Sequence, residues 1–134
     1  MAEIFHITGQ SQWDRATAAG EHRMSTRDLT LEQEGFIHCC LPHQLRGVAE
    51  RYYADADDLV VLVIDETRLT GPVRYERPAP GADAFPHIYG PVPVGAVTSV
   101  IPVSRDASGR FVLPEASRRT PLPEAGRTAP LPEA

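Results

Sequence analysis

The stretch "DLVVLVIDE" (58–66) holds six consecutive apolar residues, four of them β-branched. A run without polar alternation needs cover on both faces, so it belongs at the centre of a sheet rather than on its rim. The rest of the chain must then supply its neighbours. "EIFHIT" (3–8) alternates as a strand does, and "GFIHC" (35–39), "PVRYER" (72–77) and "AVTSVIPV" (96–103) read as further strands, with "SRDASGRFVL" (104–113) as a hairpin return. Two helices are expected early. The first is "SQWDRATAAG" (11–20), with Ser11 capping its start and Gly20 its end. The second runs from about Leu41 to Tyr53, with Pro42 in its first turn and Leu45, Val48, Ala49 and Tyr52 as its core stripe. "GEHRMSTRDLTLEQ" (20–33) reads as an irregular polar connection and the Pro- and Gly-rich segment 77–95 as mostly loop. Strands without regular helical alternation make this an α+β chain.

With 134 residues, 42% of them hydrophobic, the chain fits a single domain over residues 1–113. From residue 114 the sequence repeats LPEA-containing units rich in proline, which cannot build a core and predict a disordered, polyproline-like tail over 114–134. No apolar run is long enough to span a bilayer, and the start, "MAEIFHITGQ", has no leader pattern. A net charge of −5 argues against extended nucleic-acid binding and leaves a small molecule or nucleotide as the expected partner. The only cysteines, Cys39 and Cys40, are adjacent and cannot close a stabilising loop, which fits a reducing cytoplasm.

The chemistry-bearing residues gather near strand ends. His6 lies in the first strand, His38 at the end of the second, and His87 in "FPHIYGP" (85–91). Each can donate, accept or carry charge near neutral pH, and neighbouring strands could bring all three to one cleft as acid–base groups. His22 and His43 read as solvent residues. A zinc site in "HCCLPH" is disfavoured, because adjacent strand residues diverge and Cys40 with His43 makes only two ligands. Cys40 at a helix start is either a dipole-stabilised thiolate or a small capping or packing residue. His87 and Tyr89 share a face if extended, in a backbone stiffened by prolines, and Glu76 in "RYER" offers a carboxylate.

"FHIT", "EGFIHC", "DDLVVLVID", "VRYE" and "FPHIYGPV", in this order, resemble a small bacterial family known as domain of unknown function 952. The resemblance spans roughly residues 3–103. It implies a fold similar to the ADP-ribosyltransferases, whose split β-sheet core binds NAD as a substrate. Carried onto this chain, the motif positions fall on His6, on or beside His38, and on or beside His87, with no glutamate at the third. A related branch, the RNA 2′-phosphotransferases, works without that acid and relies on basic residues, for which Arg23, Arg27 or Arg74 stand available. The resemblance therefore implies a histidine-lined cleft for NAD or a related ADP-ribosyl or phosphorylated compound. Two alternatives stand beside it: histidine acid–base catalysis on another metabolite, and a binding domain without turnover. Members of that family commonly have serine or threonine where this chain has Cys40, which weighs against a thiol mechanism.

Overall fold

The apolar run becomes a strand buried on both faces. The structure, a computed structural model, describes residues 3–114. In chain order it has strand β1 (Glu3–Gly9), helix α1 (Gln10–Ala19), strand β2 (Glu21–His22), the one-turn helix α2 (Leu31–Glu34) and strand β3 (Ile37–His38). A 3-10 turn at Pro42–Gln44 leads into α3 (Leu45–Tyr52), followed by β4 (Leu59–Asp65), β5 (Val73–Glu76) and β6 (Phe85–Ile88). The short β7 (Val92–Pro93), then β8 (Val97–Pro102), β9 (Ser104–Arg105) and β10 (Phe111–Val112) complete the described chain. The expected Pro-rich tail, apart from its first residue, lies outside the described residues.

Two antiparallel three-stranded sheets organise these elements, in the orders β1-β4-β8 and β3-β6-β5. On β4, Val60, Leu62 and Ile64 face one apolar layer with Ile4, Trp13, Ile37, Ile88 and Val92. That layer packs the two sheets against each other. Leu59, Val61 and Val63 face the opposite way, onto Phe5, Leu45, Ala49 and Tyr53, so α3 covers the outer side of the first sheet. The two-sided cover anticipated from the unbroken apolar run is therefore present. Among the described residues no helix is long and apolar enough to cross a membrane.

The chain joins the sheets between residues 37 and 40. Ile37 and His38 pair with Ile88 and His87, and Cys39 donates its N–H to the Pro86 carbonyl. Proline has no N–H to return that bond, so the ladder ends there. Two residues beyond His38 the backbone is paired with the other sheet: Phe5 and Cys40 exchange both amide bonds at 2.8 Å.

Several local expectations need correction. Helix α1 starts at Gln10, so Ser11 lies inside it; the helix entry is held by Gln12, whose Oε1 accepts from the Gly9 N–H. Gly20 does close the helix in the left-handed region, at φ 93°. The second helix is shorter than anticipated because Pro42–Gln44 forms a tight turn. Tyr52 is 59% exposed and Tyr53 is buried instead. Segment 77–95 is mostly irregular as expected, but it also contains β6 at the centre of the second sheet and the short β7.

Candidate functional site

Strand alternation sorts the second sheet into two faces. Ile37, Ile88 and Val73 point into the apolar layer. Phe36, His38, His87, Tyr89, Arg74 and Glu76, each one residue out of phase, belong to the other face. Register aligns three of them in a row, with His38 opposite His87 and His87 opposite Arg74. The His38 and His87 rings meet edge-on with centroids 5.0 Å apart. Phe36 stacks on His87 at 4.1 Å and 18°, and lies 5.3 Å from the Tyr89 ring. The Arg74 guanidinium sits 5.0 Å from the Tyr89 centroid.

Carboxylates tie this face together. Glu76 Oε1 accepts from both His87 Nδ1 and the Tyr89 hydroxyl, each at 2.7 Å. Those two bonds hold the Glu76 carboxyl below its ordinary range, and the same bond to Glu76 raises the Tyr89 hydroxyl. Glu34 Oε2 lies 3.3 Å from His38 Nε2. Partial burial draws His38 below its ordinary value and the adjacent His87 ring adds to this, while Glu34 opposes both. The His38 side chain is 41% exposed and that of His87 is 11% exposed.

Among the sequence-derived candidates, His38, His87, Tyr89, Arg74 and Glu76 come together here. His6 does not join them on that face. It projects between the sheets, where its Nδ1 donates to the His38 carbonyl at 2.6 Å and its Nε2 lies 3.0 Å from His22 Nε2. With both nitrogens occupied and the residue 2% exposed, it braces the strand that carries His38. His22 is likewise buried, not a solvent residue. A carbonyl can only accept, so His6 carries its proton on Nδ1, and His22 must donate from Nε2 when both rings are neutral. Burial and then the His22 ring lower His6 to about 3, against the bond to the His38 carbonyl. Burial lowers His22 to about 4, opposed by the Met24 backbone.

Two further candidates fall elsewhere. Arg23 pairs with Glu21 and Glu32 at the surface, and Arg27 pairs with Asp55. Cys40 is 2% exposed and packs with Phe5 and Leu45 on the α3 side of the first sheet, so it neither lines this face nor starts a helix. Burial pushes its thiol up to about 12 and raises Cys39 as well. Burial of this kind disfavours a thiolate at either position. Ellman's reagent is expected to find no rapidly reacting thiol in the folded protein and two after unfolding in guanidinium; a fast native thiol would contradict this burial. No cluster of three or more metal-binding side chains occurs among the described residues.

Phe36, Glu34 and His22 were not singled out from sequence. Phe36 had a usable signal, since it stands two residues before His38 and so shares its face. A separate groove of about 400 Å³ runs between α3 and segment 78–85, lined by His43, Arg51, Tyr52 and Phe85 among others. It holds neither of the histidine–carboxylate pairs found on the sheet face.

The family model described as "Protein of unknown function (DUF952)" matches residues 7–100. The crystal structure of protein CC0527 from Caulobacter crescentus is similar at a TM-score of 0.72 and 27% identity, covering 83% of this chain and 94% of that one. The solution structure of CC0527 gives a TM-score of 0.67 at 29% identity, covering 82% and 91%. A search of curated proteins finds no match.

Proposed function

The chain belongs to the DUF952 family, and on that premise we propose that the outer face of the β3-β6-β5 sheet binds a phosphorylated nucleotide-type small molecule, NAD or a related ADP-ribosyl compound. The observation that carries this reading is the row His38–His87–Arg74 across three adjacent strands, flanked by Phe36 and Tyr89. Arg74 supplies the one cation of that row and suits a diphosphate. Phe36 and Tyr89 offer aromatic surface to a base or nicotinamide ring, and His38, the more exposed imidazole, can bond a ribose hydroxyl.

The fold similarity to the ADP-ribosyltransferases that the DUF952 resemblance implies supports the same choice of ligand. Two small antiparallel sheets facing each other across an apolar layer are compatible with a split-sheet core. The resemblance left the third motif position without its acid, and here a neighbouring strand brings Glu76 against His87. A metabolite lacking a nucleotide, handled by the same histidines, is the second reading, favoured by that histidine–carboxylate contact alone.

Titration calorimetry with NAD, ADP-ribose and a 2′-phosphorylated nucleotide separates the two. Binding on the order of micromolar is expected for at least one of them. Arg74→Ala and Phe36→Ala are each expected to weaken it by about tenfold, or ~1.4 kcal/mol. Arg74 is exposed, so its removal tests charge and not folding. No heat with any of the three ligands, from protein that melts cooperatively, would remove the nucleotide reading and leave the second.

A further inference from the structure

We propose that this face is built for proton transfer as well as binding: Glu76 is a positioning residue that fixes the His87 imidazole in the tautomer with its proton on Nδ1, so that Nε2 faces outward as a base for a hydroxyl of the bound ligand. The inference rests on the ligand site proposed above, but its first test does not need a ligand.

The geometry leaves little choice of tautomer. An ionised carboxylate only accepts, and Glu76 Oε1 lies 2.7 Å from His87 Nδ1. A neutral His87 must then carry its proton on Nδ1 and a lone pair on Nε2. Tyr89 donates to the same oxygen of Glu76 and holds the carboxylate against the ring. Phe36 stacks on the imidazole within 18° of parallel, which fixes the ring plane. The ring is thus held by a bond at one nitrogen, by a face-to-face contact and by the edge of His38.

The opposite nitrogen is free. Among the described residues no group bonds Nε2, and there only Ser25 Oγ is a side-chain nitrogen or oxygen both fully enclosed and unpartnered. The Nε2 of this largely buried ring is therefore not fully enclosed. A carboxylate behind one nitrogen and an accessible lone pair on the other is the arrangement by which a base is oriented and its cationic form stabilised. In the step itself the ligand O–H bond breaks, its proton forms a bond with Nε2, and the oxygen keeps the electron pair. Nδ1 keeps its proton throughout, and the resulting imidazolium faces the Glu76 carboxylate.

Nitrogen-15 NMR of the histidine rings in the full chain tests this. His87 is expected to show a protonated Nδ1 and an unprotonated Nε2 at a pH where the ring is neutral. Glu76→Ala is expected to release it to the Nε2-protonated form, the opposite assignment. Glu76→Gln restores the original pattern, because its amide oxygen can still accept, and Tyr89→Phe leaves it in place. A merely structural Glu76 would change stability without moving the proton between nitrogens. Finding Nε2 protonated in the unaltered protein would overturn the proposal whatever ligand binds. With ADP-ribose added, the Nε2 resonance is expected to shift as it accepts a hydroxyl; binding seen by calorimetry without that shift would overturn the base role while leaving the binding site intact.

Discussion

Lowering the pH from 6.5 to 5 is expected to remove about 3 kcal/mol of folding stability through His6 and His22 alone. Both imidazoles have an ordinary value of 6.5, and the folded protein holds them at about 3 and about 4. Above 6.5 the two rings are neutral in folded and unfolded chains alike, and no penalty exists. Below it the unfolded chain takes up protons that the folded chain refuses, so stability falls as the pH falls, by up to about 1.4 kcal/mol per unit for each ring. The loss continues until the folded values are reached. Between 6.5 and 5 exposed carboxylates add little, because they titrate lower. Urea denaturation at the two values measures the effect. In a His6→Leu/His22→Leu variant most of the pH dependence should vanish, whatever its absolute stability. An unchanged urea midpoint for the parent protein would mean that the folded chain does not hold the two rings below their ordinary value.

The second large effect is expected from Gly71→Ala. A methyl group there would lie 2.4 Å from the Tyr89 carbonyl oxygen, 2.9 Å from its carbon and 3.1 Å from the Gly90 Cα. All three are backbone atoms, so no side chain can swing aside. The segments must part, which breaks the bond from the Tyr89 N–H to the Pro72 carbonyl. Overpacking of this kind costs about 1–3 kcal/mol. More tellingly, it pulls Tyr89 away from Glu76, so ADP-ribose affinity should fall further than in Tyr89→Phe. Gly95→Ala, where the new methyl meets nothing within 4 Å, is the matched control. Equal melting temperature and affinity in Gly71→Ala and the parent would show that the close approach is not needed.

The legible parts of the chain were those whose signal is local. An unbroken apolar run announces a two-sided strand, and Leu59–Ile64 forms one. His87 and Tyr89, two apart among prolines, were readable as neighbours on one face. Strand β6 was obscured by Pro86, since proline seldom occupies an inner strand. The fold tolerates it because the residue opposite, Cys39, stands where β3 leaves the ladder. His22 was misread for the opposite reason. Its strand is two residues long and set in polar sequence, and its partner His6 lies sixteen residues earlier with no periodic relation to it. Glu76 was visible as a carboxylate, but only strand register placed it against His87.

The handover at residues 37–40 has a consequence for how the molecule opens. Because one short segment is stitched to β6 at one end and to β1 at the other, fraying of either sheet strains the other through four residues. Amide protons of Phe5 and Cys40 should consequently exchange with deuterium only through whole-molecule unfolding, at a rate matching the slowest sites on β4. The bonding surface around His38 is then set by the cooperativity of the entire domain and not by a loop that breathes on its own.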